Sequence, residues 1–374
     1  MATFRGTLNV NPFTVSIPDK ALDELKQLLH LSKIGPPTFE NTRQAGPSYG
    51  LSRTWTAMAK DHWLNQYDWR KNEARINSFD NYKANVAVDK SDDVELHFIA
   101  LLSKKQDAVP IVLLHGWPGS PLEFLGLLEH TRKKYSPEEA PYTFIVPSLP
   151  GYGFSSGPSL EHEWTCETMA SAVEALMVGL GYGAGYVAQG GDLGSFVARI
   201  LAAQHSAKAC HINFAIMPPP EGVAPETIDA MERRGLERAG EFGTQGDAYA
   251  RMHGEKFLDW VDEPLDLDDI LNHVSLYWFT ETFPRAIYPY RQFFGPSPEA
   301  IPLKHHVHKP LGYSWFPKEI APIPKAWVST TANLVWYKQH TAGGHFAALE
   351  RPQDLLQDIE EFVTAVWKDC LAEA

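Results

Sequence analysis

Apolar residues change their spacing twice along the chain. Up to about residue 90 they recur three and four apart. Leucines 22, 25, 28 and 29 share one face of a helix over 21–29 that Asp19 can cap. A loop with Gly35-Pro36-Pro37 and Gly46-Pro47 follows. Next comes an aromatic-rich helical stretch from Ser52 to Ile76, whose Trp55, Trp63, Tyr67 and Trp69 read as packing. This part reads as a separate layer. From Val94 the spacing becomes that of strands, with Val94, Leu96, Phe98 and Ala100 alternating. Continuous apolar runs at Val109-Leu114, Tyr142-Val146, Gly185-Ala188 and Ile212-Ile216 predict strands covered on both faces. Helical segments over 121–130, 166–180 and 196–204 lie between them. Strand and helix in alternation imply a parallel sheet with right-handed crossovers.

The rhythm breaks at Met217-Pro218-Pro219-Pro220, which opens a mostly helical insertion to about Pro298. Strand signals return at Leu311-Phe316 and Asn333-Gln339, and an amphipathic helix closes the chain. A mostly parallel sheet interrupted by a helical insertion after its sixth parallel strand is the plan of an α/β-hydrolase fold with a cap. The expected division is an N-terminal extension over 1–92, a core over 93–216 and 299–374, and a cap over 217–298. The chain length suits two or so domains, or one α/β domain carrying insertions.

Composition narrows the function. A formal charge of −13 leaves no basic surface, so nucleic acid is not an expected partner. Three scattered cysteines (Cys166, Cys210, Cys370) imply neither a zinc site nor a disulfide framework. The N-terminus lacks the apolar core of a signal peptide, and no stretch has the length to span a bilayer, so a cytoplasmic protein is expected.

Chemistry centres on Gly190-Gly191-Asp192-Leu193-Gly194, between a short buried strand and a helix beginning near Ser195. A sharp strand-to-helix turn lifts its central residue above the sheet, as in the nucleophile elbow of hydrolases, where Ser is usual. An Asp changes the outcome. Ser opening a carbon electrophile such as an epoxide would end as an ether, whereas a carboxylate becomes an ester that water can cleave. A Gly-rich turn with a helix-capping Asp is the alternative, and the rest of the constellation decides between them. His345, in Gly343-Gly344-His345-Phe346, sits in a glycine-flanked loop after the last strand, where an imidazole can swing over the nucleophile. Glu319 follows the preceding strand as the orienting acid, and no other Asp or Glu stands between residues 300 and 345. The turn His115-Gly116-Trp117-Pro118-Gly119-Ser120 supplies an oxyanion hole, with donors assigned to the backbone N–H groups of Trp117 and Leu193 and a structural role to His115. Gly153-Phe154-Ser155-Ser156-Gly157 matches a serine-hydrolase motif, but Pro158 follows and no strand leads in, so it reads as a loop. His305-His306-Val307-His308 has no carboxylate or Cys partner for a metal and also reads as a solvated loop.

Together these residues resemble the epoxide hydrolases of the microsomal type, especially the soluble fungal enzymes. The likeness covers nearly the whole chain. It is carried by Asn65-Gln66-Tyr67-Asp68-Trp69-Arg70 with Ile76-Asn77-Ser78-Phe79, by the 115–120 turn, by Pro150-Gly151-Tyr152-Gly153-Phe154-Ser155, by Gly190 to Ser195, by Phe316-Pro317-Lys318-Glu319 and by Gly343 to Glu350. In microsomal members a membrane anchor precedes the N-terminal domain, and none is expected in this chain. The resemblance implies conversion of a small epoxide and water to a vicinal diol without cofactor or metal. It also implies two cap tyrosines on the epoxide oxygen. Tyr290 matches one, with Tyr288 a neighbouring competitor, and Tyr249 matches the other. The segment that in relatives follows the first tyrosine is missing here, because Tyr249-Ala250-Arg251-Met252-His253 runs straight into Gly254-Glu255-Lys256-Phe257. The alternatives are a haloalkane dehalogenase, which usually places Trp where Leu193 stands, and a family member disabled by the shortened cap. An elbow without Ser argues against a serine esterase. An extra N-terminal layer often lies at a subunit contact, which makes a homodimer the assembly to test.

Overall fold

The computed structural model describes residues 4–39, 41–42, 50–88, 92–157, 164–241, 256–290, 292 and 305–372. Its strands are β1 (Val10–Pro12), β2 (Asp80–Val88), β3 (Asp92–Leu101), β4 (Val109–Leu114), β5 (Tyr142–Pro147), β6 (Tyr186–Gly190), β7 (Ala207–Ile212), β8 (Val307–Trp315) and β9 (Ala332–Gln339). They form one sheet in the order β1-β2-β3-β5-β4-β6-β7-β8-β9. The first three run antiparallel, as does the β3–β5 pair, and all pairs from β5 to β9 are parallel. Every residue of β4, β5 and β6 is buried, as expected of strands sandwiched between helices. In the order β5-β4-β6 the chain reverses direction across the sheet, which opens a crevice beyond the carboxyl ends of β4 and β6.

The sheet corrects three expectations. The N-terminal part is no layer apart, because β1 and β2 extend the sheet. In β2, Ala84, Val86 and Val88 face the core and pair with β3 from Asp80↔Ala100 to Val88↔Asp92. The Ile212–Ile216 strand lies earlier, as β7. Polar Lys208 and His211 mask its pattern, yet His211 is fully buried and bonds Ser314 Oγ at 3.0 Å. The helical insertion follows β7, which is the fourth parallel strand in the chain rather than the sixth.

Helices α1 (Asp19–Leu31), α2 (Arg53–Asn65) and α3 (Trp69–Ile76) belong to the N-terminal part. Pro18, not Asp19, precedes α1, and Asp19 instead takes the Arg70 guanidinium at 2.5 Å. The helical stretch from Ser52 breaks before Trp69, where Asp68 caps α3 by accepting from the Arg70 N–H at 2.9 Å. Helices α4 (Leu125–Lys134), α5 (Cys166–Met177) and α6 (Leu193–Gln204) flank the sheet. Among the described residues of the insertion, α7 (Ala230–Glu241) and α8 (Leu267–Phe279) are the longer helices, and α9 (Pro352–Ala372) is the last described element.

Helix α8 joins three regions. Trp63 Nε1 donates to Ser275 Oγ at 3.1 Å, Tyr67 OH donates to Asn272 Oδ1 at 2.9 Å, and His62 pairs with Asp268 at 2.6 Å. On its other side, Tyr277 OH donates to the Gly119 carbonyl at 2.8 Å and His273 Nδ1 lies 2.9 Å from Ser120 Oγ. The N-terminal aromatics therefore pack as expected, and they also fix the helix that holds the 116–120 turn.

Candidate active site

Asp192 occupies the turn between β6 and α6 with φ 46° and ψ −128°, a left-handed region that a side chain seldom adopts. The turn is tight enough to exclude a side chain from its neighbour. A Cβ on Gly194 would lie 2.1 Å from the Leu114 carbonyl oxygen. The carboxylate projects over the N-terminus of α6, whose unpaired amides and dipole favour negative charge. Leu193 is the first residue of that helix, so no helical carbonyl can take its N–H.

The two carboxylate oxygens have different surroundings. Oδ1 accepts from the Trp117 N–H at 2.9 Å and from the Tyr290 hydroxyl. Oδ2 lies 3.3 Å from His345 Nε2. Across the ring, His345 Nδ1 donates to Glu319 Oε1 at 2.6 Å. Glu319 is 1 % exposed and His345 5 %, so this chain of contacts is shielded from solvent. Burial alone would depress the imidazole pKa, but Glu319 and Asp192 raise it to about 10. The rings of Phe214, Trp260 and Phe346 stand nearly perpendicular to the imidazole, with centroids 5.5, 5.0 and 5.1 Å away.

Tyr290 stands on a single turn, Tyr288–Tyr290, after Ala286, whose carbonyl accepts from Tyr152 OH at 2.6 Å. Its hydroxyl also lies 3.5 Å from the Trp117 carbonyl oxygen. Tyr288 is 55 % exposed and does not compete for the site. Tyr249 lies outside the described residues. Asp192, His345, Glu319, Trp117, Leu193 and Tyr290, drawn from separate parts of the sequence, thus converge at one point.

The two other sequence matches do not join them. Ser155 is buried and accepts from the His97 N–H at 2.9 Å while donating to the Ser148 carbonyl at 2.7 Å, so its loop is braced against β3 and its hydroxyl proton is committed to a backbone carbonyl. His308 lies within β8 rather than in a loop, and its ring sits 4.7 Å from that of His306. Among the described residues no group of three or more His, Cys, Asp or Glu could hold a metal ion. His115 is a buried turn residue as expected. Its Nδ1 donates to the Gly116 carbonyl at 3.0 Å, its Nε2 accepts from the Leu149 N–H at 3.1 Å, and burial lowers its pKa to about 4.

One residue escaped the sequence reading. Glu123 shares with Trp117, Asp192, Asn213, His345 and Phe346 the wall of a cavity of about 10 Å³, near the space one water occupies. Burial lifts its carboxyl to about 8, Asp192 adding to the rise and His345 opposing it. The available signal was a lone acid among Pro121, Leu122, Phe124 and Leu125.

An elbow Asp paired with a late His and an acid, on a sheet of this order and beneath a helical insertion, defines an α/β-hydrolase with an aspartate in the nucleophile position. A family model for the epoxide hydrolase N terminus matches residues 10–124, and one for the alpha/beta hydrolase fold matches residues 109–288. A protein of Dothistroma septosporum, assigned as an epoxide hydrolase, is 40 % identical over 96 % of this chain and 90 % of its own length. Epoxide hydrolase 1 of Sus scrofa is 28 % identical over 95 % of this chain and 88 % of its own. The solved structure of Aspergillus niger epoxide hydrolase superposes with a TM-score of 0.90 at 45 % identity, covering 98 % of both chains. The chain belongs to the epoxide hydrolase family.

Proposed function

We propose that the protein hydrolyses epoxides to vicinal diols through an ester on Asp192, and that the two-sided arrangement of this carboxylate carries the reading. Oδ2 attacks an epoxide carbon and the carbon–oxygen bond breaks. Tyr290 donates to the departing oxygen, with Tyr249 as the second donor, so that an alkoxide never has to stand alone. Oδ1, held by the Trp117 N–H, becomes the carbonyl oxygen of the ester. Water then adds to the Asp192 carbonyl carbon while His345 takes its proton and Glu319 keeps the ring oriented. Negative charge collects on Oδ1, where the N–H groups of Trp117 and Leu193 form the oxyanion hole. Collapse breaks the bond between the Asp192 carbonyl carbon and the substrate oxygen, the proton of the added hydroxyl passes to that oxygen, and the diol leaves with the carboxylate restored. The cavity beside Glu123 and Asn213 is the place for that water.

Esterification also readies the base. With Asp192 neutral, one of the two charges that hold a proton on His345 is gone, and the imidazole gives it up more readily, to the phenolate that Tyr290 becomes on protonating the departing oxygen. No step calls for a metal or cofactor. Two open apolar cavities of about 510 and 640 Å³ share Trp63, Pro118, Phe257, Val274 and Phe283 near Trp117, which favours an epoxide with an apolar substituent. We divide the chain into an N-terminal extension over 1–92, whose strands continue the sheet, a core over 93–216 and 299–374, and a cap over 217–298. Among the described residues no helix is long and apolar enough to cross a membrane. A cytoplasmic location and a homodimer are part of the proposal.

A diol assay on a small panel of epoxides tests the reading. The wild type is expected to form diol and Asp192→Ala to form none. Halide release from a chloroalkane without diol from any epoxide would favour the dehalogenase reading. A normally folded protein inert to all of them would mean that the shortened cap has disabled the site.

A further inference from the structure

The loop carrying His345 has little stiffness of its own, because two glycines precede the imidazole. Gly344 also comes so close to the cap that a Cβ there would lie 2.3 Å from the Trp260 carbonyl oxygen. Beyond the contact of His345 with Asp192, four hydrogen bonds hold residues 343–345. Glu319 takes the ring, and the Lys318 N–H donates to the Gly343 carbonyl at 3.0 Å. Of the remaining two, one reaches the cap directly and the other reaches it through Glu350. The His345 N–H donates to the Trp260 carbonyl at 2.8 Å, and the Gly344 N–H donates to Glu350 Oε1 at 2.8 Å. The other Glu350 oxygen accepts from the Asp262 N–H at 2.9 Å.

Glu350 therefore takes one backbone N–H from the catalytic loop and one from the cap segment. A carboxylate can accept on both oxygens, whereas an amide of the same size has only one acceptor oxygen. The charged groups around it are Asp262 and Arg351, themselves 3.3 Å apart, with Glu263 3.7 Å from Arg351. Burial raises the Glu350 carboxyl to about 7, while its two N–H donors and Arg351 oppose the rise. The Asp192–Glu319–His345 chemistry makes no direct use of it.

We infer that Glu350 is a positioning residue for ester hydrolysis, tying the His345 loop to the cap segment Trp260–Asp262 so that the base stands over the nucleophile. The inference rests on the reaction proposed above, in which Asp192 and Tyr290 form the ester and His345 acts in its hydrolysis. A loosened loop should therefore slow the second step and spare the first.

Rapid-quench kinetics with styrene oxide, following the ester by intact mass, separates the two steps in wild type and Glu350→Gln. Ester formation is expected to stay within about twofold, while its hydrolysis slows about ten- to hundredfold, the effect of one lost charge-assisted hydrogen bond. Ester then accumulates during turnover. A merely structural role would lower the fraction of active protein without changing the ratio of the two rates. Hydrolysis at the wild-type rate, or parallel slowing of both steps, would overturn the inference and leave the reaction standing. No ester in either protein would overturn the reaction and the inference with it. If Glu350→Gln fails to fold, Glu350→Asp keeps the charge but falls one methylene short of bridging both N–H groups, and the same split is expected.

Discussion

At the residue scale, the proposed reaction asks one carboxylate to serve as nucleophile first and as the acyl group of an ester afterwards, and its two oxygens lie in different surroundings. Oδ1 receives the Trp117 N–H and the Tyr290 hydroxyl, and Oδ2 faces His345. Tyr290→Phe removes the proposed proton donor to the opening ring but no partner of the water. Stopped-flow kinetics should show ester formation slowed by about 10²-fold or more, with ester hydrolysis within about twofold of wild type. Equal loss in both steps would contradict the division. Glu319→Gln should do the reverse, slowing hydrolysis by about 10²–10⁴-fold by losing control of the imidazole's tautomer. Asp192, His345, Glu319 and the Trp117 turn were legible in the sequence because each follows a strand at a place the fold reserves for it. Glu123 was not, because nothing local distinguishes a helical Glu that faces a cavity from one that faces water.

The elements explain why these residues meet. Strand β6 and helix α6 join through a turn so tight that Gly194 nearly touches β4 at Leu114. Gly194→Ala puts a methyl group against that backbone carbonyl, where no flexible side chain can yield. It should lower the denaturant midpoint by an amount worth about 1–3 kcal/mol or prevent folding, whereas wild-type stability would contradict the described elbow. Buried apolar runs announced β4, β5 and β6. Strand β7 was displaced in the sequence reading because its polar positions are satisfied inside the protein, His211 by Ser314. The antiparallel edge went unseen for a different reason. Its alternation at Ala84, Val86 and Val88 is short, and only pairing with β3 shows that it belongs to the sheet. Helix α8 was readable as part of a helical insertion, but its hold on Gly119 and Ser120 depends on contacts between residues far apart in sequence.

For the molecule as a whole, buried titratable groups make stability depend on pH in two directions. His97, His115, His211 and His273 are buried, and burial lowers their pKa values to about 3, 4, 4 and 3. They stay neutral in the folded state, so the unfolded chain binds more protons once the pH falls below about 6.5, and stability is lost from there downward. His345, Glu123 and Glu350 act oppositely, with folded pKa values raised to about 10, 8 and 7. They hold protons in the folded state that the unfolded chain releases, so their contribution fades as pH rises through those values. Asp269, raised by burial, joins them on the acid side and partly offsets the histidines. The thermal midpoint should therefore peak near about pH 6 to 6.5, dropping by pH 5 and again by pH 9. A midpoint that rose steadily on acidification would contradict this balance.

The central claim is that Asp192 carries the substrate as an ester, and isotope placement tests it most directly. One turnover of an epoxide in heavy-oxygen water, with enzyme in excess, is followed by mass spectrometry of the peptide containing Asp192 and of the diol. Water attacking the Asp192 carbonyl carbon leaves its oxygen in the carboxylate, so the prediction is a labelled Asp192 and an unlabelled diol. A labelled diol with Asp192 unchanged would mean that water attacks the epoxide itself, and the covalent account would be wrong.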